Sequence, residues 1–144
     1  MNRASTILVA VLYSGVSFAM GGCPETPGAS TFEREHQVSN LRNEPVERSS
    51  DTLQIWTNSS GVKEFCLDTI GTNYHQCEVS GSLTRKDGNL IFVDPETKCS
   101  LELKMSGKDL SLEVSKDWER FGPCHRPYCG QYTSVESGLF KRAR

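Results

Sequence analysis

The sequence lacks most features that mark membrane-spanning, nucleic-acid-binding or hydrolytic proteins. The apolar run from Ile7 to Met20 is too short to cross a bilayer as a helix. No basic cluster exceeds the terminal group of Lys141, Arg142 and Arg144, and the formal net charge is −2, so we expect no nucleic acid as a partner. No G-x-S-x-G motif is present to support a serine nucleophile. The sequence therefore does not indicate an enzyme.

Metal ligands are also sparse. His36, His75 and His125 are the only histidines, and Cys124, His125 and Cys129 offer one close group of soft ligands. A structural zinc site usually uses two close pairs of ligands. In an exported chain a disulfide loop explains such cysteines better than a metal does. We expect neither a metal nor any other cofactor.

The N-terminus predicts export. Arg3 precedes the apolar run and Ser17-Phe18-Ala19 supplies the small residues of a cleavage site, so residues 1–19 are predicted to be a signal peptide. The mature protein is then periplasmic or secreted. A second route stays open, because Met20-Gly21-Gly22-Cys23 resembles a bacterial lipobox. Cys23 is therefore a lipidation candidate, and an outer-membrane lipoprotein would touch the membrane only through that lipid.

Six cysteines in a short exported chain predict a disulfide framework. Their connectivity does not follow from their spacing. Cys66 is predicted to point outward, toward Cys23 or the N-terminal segment. If Cys23 carries a lipid, an odd number of cysteines remains and one has no partner. The six are Cys23, Cys66, Cys77, Cys99, Cys124 and Cys129.

Composition divides the rest of the chain into a polar part and a β domain. Residues 20–50 are predicted to be a tether and lead-in, because their few apolar positions fit neither the helical nor the strand period. This lead-in is a short helix or an extended segment. Residues 51–144 are predicted to form one disulfide-stapled β domain. Its first strands are Thr52–Trp56 and Val62–Asp68.

Three consecutive hairpins are predicted between Cys77 and Val114. Their turns contain Asp87-Gly88, which suits a type I′ turn, Pro95, which suits a type I turn, and Ser106-Gly107-Lys108-Asp109. The apolar residues of all three hairpins then share one face, which supports the register because a one-residue slip would reverse every side chain. The predicted pairs are Leu83 with Phe92, Phe92 with Cys99, Leu90 with Leu101, Met105 with Leu110, Leu103 with Leu112, and Leu101 with Val114.

This pattern predicts an all-β fold. The chain forms an antiparallel meander that makes a small barrel or a strongly curved sheet, stapled by disulfides. Cys129-Gly130 is predicted to open a last strand that runs through Tyr132 and Val135, and Gly138-Leu139-Phe140-Lys141 closes the chain.

Partner-binding candidates fall in two places. The long loop after Val114 is rich in aromatic residues and turn formers, and it is either a lid on the core or a binding loop. Its candidates combine aromatic and arginine side chains, which are enriched in binding hot spots. The outward-facing serines of the central strand form the second place. The candidates are Trp118, Phe121, His125, Arg126, Tyr128, Ser80 and Ser82.

Several short motifs resemble a known group of proteins. They are His75-Gln76-Cys77, the following Ser80-Gly81, the central Lys98-Cys99-Ser100-Leu101, and a late Cys-Gly strand before a terminal Phe-Lys-Arg. In this order they resemble small periplasmic all-β proteins of Gram-negative bacteria, of the lysozyme-inhibitor type. Ser80-Gly81-Ser82-Leu83 also keeps the first half of the Ser-Gly-x-x-Tyr signature of that type, and it lacks the tyrosine.

The resemblance implies a function and a disulfide set. The chain would be a periplasmic binding protein that inhibits, or gives immunity to, a cell-wall hydrolase such as lysozyme, which makes a protein its partner. It also implies that Cys77, Cys99, Cys124 and Cys129 pair among themselves, with Cys23 and Cys66 as additions. The alternative is a lipid-anchored structural or assembly protein of the bacterial envelope with no inhibitory activity.

Overall fold

The computed structural model describes residues 22–144 and shows a closed antiparallel barrel. Each strand pairs with the next one along the chain, and the last strand closes against the first. The predicted all-β meander barrel is therefore confirmed. No helix in this range is long and apolar enough to span a bilayer. The strands are β1 Ser30–Ser39, β2 Pro45–Thr57, β3 Lys63–Ile70, β4 Gln76–Lys86, β5 Asn89–Val93, β6 Ser100–Ser106, β7 Asp109–Val114 and β8 Gly138–Arg142.

The barrel begins earlier in the chain than predicted. Residues 30–50 form β1 and the first part of β2, so the boundary at residue 51 is wrong. The strand pattern was hidden because β1 places Arg34 and His36 on the inward side, between Phe32 and Val38. Polar residues on the core side remove the apolar alternation by which a strand is recognised. The predicted signal peptide, residues 1–19, lies outside the described residues.

The first and third hairpins have the predicted register. Lys86 pairs with Asn89 around the Asp87-Gly88 turn, and both turn residues have positive φ, 50° and 84°. In the third hairpin Met105 pairs with Leu110, as predicted, and the two further predicted pairs also form. Turn chemistry alone was sufficient to predict the register of these two hairpins, because type I′ and related tight turns fix the pairing of their flanking strands.

The second hairpin has a register that differs from the prediction by two residues. Phe92 pairs with Leu101 instead of Cys99. The reason is a longer loop: the N–H of Asp94 donates to the carbonyl of Cys99 at 2.8 Å, which leaves four residues in the turn. Lys98 takes a φ of 63° to close it. An even shift keeps every side chain on its predicted face, so the core composition is unaffected.

The inward positions of the meander fill the core, with one exception. Val79, Phe92 and Leu112 are buried, as are most of the predicted inner residues. Met105, which was also predicted to face inward, is 55% exposed near the end of β6. Trp118, from outside the meander, is the largest fully buried side chain.

The predicted last strand through Tyr132 and Val135 does not form. Cys129 makes only an isolated bridge with Cys77, and the chain then crosses the end of the barrel before β8 begins at Gly138. Val135 is 2% exposed and packs against the core, so its apolar side chain serves packing at this end of the barrel and not strand pairing.

Three disulfides close the cysteine framework. Cys77 pairs with Cys129 and Cys99 pairs with Cys124, so the four cysteines of the predicted set pair among themselves. Cys66 points outward and meets Cys23. A sulfur in a disulfide cannot carry a lipid thioether, so lipidation of Cys23 stays a prediction that would require this bond to be absent. A chain with three disulfides is compatible with an exported protein.

Candidate functional site

The C-terminal loop between β7 and Cys129 is held against the barrel by two aromatic residues. Trp118 is fully buried, and its indole N–H donates to the carbonyl of Ser100 at 2.9 Å. The Tyr128 ring stacks on Trp118, with 5.2 Å between centroids. The Tyr128 hydroxyl donates to the carboxylate of Asp94, and this hydrogen bond is the main reason that the pKa of Asp94 falls to about 2.

Two further contacts hold the base of the same loop. The disulfide between Cys124 and Cys99 ties the loop to the residue just before β6. His125 is 2% exposed, and its Nε2 lies 2.7 Å from the carbonyl oxygen of Thr133. Trp118 and His125 are therefore structural, and their prediction as partner contacts is wrong. For these residues the loop is a lid.

The tip of the loop remains on the surface and carries a different set of residues. Phe121 is 55% exposed. The Arg120 guanidinium lies between two rings, 4.7 Å from the centroid of Phe121 and 4.8 Å from that of Tyr132. Its Nε also donates to the carbonyl of Gln131 at 3.0 Å. We call the exposed residues Arg120, Phe121 and Arg126 the loop tip.

The backbone of the loop tip is held in a conformation that disfavours its own residue type. Phe121 has a φ of 69°, which for a bulky side chain costs about 1 to 3 kcal/mol. Gly122 permits the turn, because a Cβ there would lie 2.4 Å from the carbonyl oxygen of Asp117. The N–H of Cys124 donates to that same oxygen at 2.9 Å. The surrounding bonds therefore hold the backbone that presents an exposed phenyl ring.

Ser80 and Ser82, the other predicted contacts, lie on the outer face of β4. Ser80 borders a groove of about 370 Å³ that we call the outer groove. The indole N–H of Trp56 donates to the Glu64 carboxylate at 2.9 Å, which fixes this wall of the groove. Its described lining includes Glu64 and Glu78 and no basic side chain. The surface around Ser80 is therefore acidic.

A third carboxylate lies in the next row of the same sheet. Asp68 is paired across the strands with Glu78, and residue 22 passes over it. Burial raises the pKa of Asp68 to about 6, and the charges of Glu78 and Asp51 add to the effect. The outer face thus concentrates negative charge, while the loop tip presents two arginines.

These surfaces offer aromatic, arginine and acidic side chains, which can make recognition contacts. Within residues 22–144 no group of three or more histidine, cysteine or acidic side chains is arranged to hold a metal ion. All six cysteines lie in this range, and each is in a disulfide.

Sequence reasoning located the loop and missed one of its main residues. Phe121 and Arg126 were predicted contacts and are exposed, and Tyr128 is half-buried. Arg120 was missed, although its position beside Phe121 in a turn-rich segment was a usable signal. No protein-family model, curated protein or solved structure matches the chain. The resemblance to lysozyme inhibitors therefore rests on the motif residues.

Proposed function

We propose that the chain is an exported binding protein that inhibits, or gives immunity to, a peptidoglycan hydrolase of the lysozyme type. The contact is made by the loop tip, which enters the substrate cleft of the hydrolase. The observation that carries this proposal is Phe121, an exposed aromatic residue held at a φ of 69° and stacked with Arg120. Unfavourable backbone conformations are retained where they serve a function.

The chemistry of the loop tip suits the active site of such an enzyme. Glycoside hydrolases flank the scissile bond with a pair of carboxyl groups. A guanidinium pairs with a carboxylate in a planar, two-point geometry, so Arg120 or Arg126 would occupy the place of the substrate. Phe121 would fill an adjacent apolar subsite, since aromatic and arginine side chains dominate interface hot spots.

Rigidity and charge support the same function. The Cys99–Cys124 disulfide and the buried Trp118 fix the loop before binding, which reduces the entropy that is lost on association. The net charge of −2 and the acidic outer groove favour approach to a basic hydrolase, because complementary fields raise the association rate.

The decisive experiment pairs two substitutions of one residue. Phe121→Gly relieves the positive-φ conformation and removes the ring, so it should raise the free energy of unfolding by about 1 kcal/mol while it weakens inhibition. Phe121→Ala keeps the unfavourable φ and should weaken inhibition equally without that gain. Peptidoglycan turnover and urea unfolding measure the two effects. If Phe121→Gly is more stable than the parent protein and inhibits less, Phe121 is retained for function and not for folding.

Charge variants test the arginines. Arg120→Ala and Arg126→Ala should each raise the inhibition constant at least fivefold, which is a loss of about 1 kcal/mol or more. Lys108→Ala, in the exposed turn of the third hairpin, serves as the control and should inhibit like the parent protein. Full inhibition by both arginine variants would contradict a contact at the loop tip.

The outer groove is the competing surface, and it can be tested separately. Ser80→Arg places a cation in the acidic groove and should leave inhibition intact if the loop tip makes the contact. If Ser80→Arg abolishes inhibition while the loop-tip variants inhibit like the parent protein, the binding surface lies on β4 and not at the loop tip. If the purified protein slows no peptidoglycan hydrolase at all, the proposed function fails. The lipid-anchored alternative would require Cys23 to be released from its bond with Cys66.

A further inference from the structure

One end of the barrel is lined by polar side chains that point inward. Arg34 and His36 on β1, Asp51 on β2 and Thr69 on β3 occupy positions that are apolar further along the same strands. The segment 132–138 forms the opposite wall. Between the two walls is a cleft of about 520 Å³, which we call the mouth cleft. Barrel mouths of this size are common ligand sites.

Arg34 and Asp51 of the mouth cleft already satisfy each other. Asp51 is 3% exposed and accepts hydrogen bonds from Nε and Nη2 of Arg34, at 3.0 and 2.6 Å. The N–H of Ile70 donates to its other oxygen at 3.2 Å. Arg34 Nη1 donates to the carbonyls of Glu136 and Ser137. Four of the five N–H groups of this guanidinium are therefore engaged, and its charge is already offset by Asp51.

Two buried polar atoms at the mouth cleft make no hydrogen bond. Thr69 is 2% exposed, and its Oγ1 makes no hydrogen bond. Nδ1 of His36 makes no hydrogen bond, and its nearest acceptor is Oδ1 of Asp51 at 3.5 Å, while Nε2 of the same ring contacts the carbonyl of Ile70. A buried polar group without a partner costs about 1 to 3 kcal/mol, so each such group calls for an explanation. Both atoms belong to residues that line the cleft.

The lining determines the chemical class of the ligand. The positive charge of Arg34 is offset by Asp51. Glu136, another charged residue of the lining, is acidic, so an anionic ligand is disfavoured. Hydroxyl groups both donate and accept, and they match a ligand that carries hydroxyl or amide groups. The lining contains six aliphatic hydroxyl side chains: Ser39, Thr69, Thr72, Thr133, Ser134 and Ser137.

We propose that the mouth cleft binds a neutral saccharide of one or two rings. The Thr69 hydroxyl forms a hydrogen bond with a sugar hydroxyl in the complex, which supplies the partner that it lacks in the free protein. His36 Nδ1, whose nearest acceptor is Asp51 at 3.5 Å, forms a second hydrogen bond with the sugar. Thr72 and Ser134 lie on facing walls and complete the contact. This site is separate from the loop tip, so it stands whether or not the protein inhibits a hydrolase.

The test is a titration of the full mature protein, labelled with ¹⁵N, with glucose, N-acetylglucosamine, cellobiose and maltose at millimolar concentrations. At least one sugar should shift the amide signals of Ile70, Gly71 and Thr133. Thr69→Val keeps the shape of the side chain and removes the unpartnered hydroxyl, so the melting temperature should hold or rise while affinity falls about five- to tenfold. Thr84→Val, on the exposed part of β4, is the matched control and should bind like the parent protein.

Several outcomes would overturn the proposal. Inorganic phosphate and methylamine are titrated in parallel, and a site that responds to either of them and to no sugar is not a saccharide site. Unchanged amide signals with every sugar would mean that the cleft holds only water. Equal sugar affinities of Thr69→Val and the parent protein would place the sugar elsewhere.

Discussion

Asp68→Asn should make the protein more stable at neutral pH and have little effect in acid. Asp68 lies on the outer face of β3, opposite Glu78, and one of its carboxylate oxygens is buried without a hydrogen-bond partner. Its pKa rises from 3.8 to about 6, first because of burial and then because of Glu78 and Asp51. Above about pH 6 the folded protein must therefore hold a poorly solvated anion, and asparagine removes that charge.

The magnitude follows from the pKa. One pKa unit corresponds to about 1.4 kcal/mol, so a rise from 3.8 to about 6 sets an upper limit of about 3 kcal/mol. Asp68 is only partly buried, and solvent screening reduces this to about 1 to 2 kcal/mol. Because the folded pKa is the higher one, the contribution of Asp68 to stability is complete below pH 3.8 and is lost as the pH rises through about 6.

Urea unfolding of both proteins at about pH 3 and about pH 8 measures the effect. The stability difference between Asp68→Asn and the parent should grow by about 1 to 2 kcal/mol between the two pH values. Glu33→Gln, which removes an exposed carboxylate on β1, is the control and should show no comparable growth. A difference that is constant with pH, or that grows in favour of the parent at high pH, would refute the reasoning.

Three further predictions concern the loop and the barrel end. Tyr128→Phe removes the hydrogen bond that lowers the pKa of Asp94 to about 2, so an NMR titration of that carboxyl should show a rise toward 3.8; no rise would contradict the bond. Gly71→Ala places a Cβ 2.8 Å from Cα of Thr133 and should reduce the free energy of unfolding in urea by about 1 to 3 kcal/mol. Trp118→Ala should cost about 3 to 5 kcal/mol in the same assay, and a smaller loss would mean that the loop is not a lid.

The turns explain why most of the meander could be predicted. Asp87-Gly88 and Gly107 define tight turns of known length, and the alternation of apolar residues on both sides then has one consistent register. The turn at Pro95 misled the prediction because a second geometry, closed by the positive φ of Lys98, fits the same residues. No local rule distinguishes these two turns when both keep the apolar residues inside.

The candidate sites were predictable only in part. Aromatic and arginine residues marked the C-terminal loop, and two of its predicted contacts, Phe121 and Arg126, are exposed. Trp118 and His125 have the same residue types and are buried, because burial depends on packing against distant parts of the chain. The mouth cleft was missed entirely, since Arg34 and the residues that face it are far apart in sequence.

The sequence by itself determined the fold class, the inward and outward faces of β4 to β7, and the need for disulfides. These properties depend on local turn chemistry and on the two-residue period of a strand, both of which are written in neighbouring residues. Only the tertiary structure decided that residues 30–50 belong to the barrel, that Cys23 bonds to Cys66, and which loop residues are exposed. Barrel closure brings β1 against β8, and contacts over more than a hundred residues leave no local signal in the sequence.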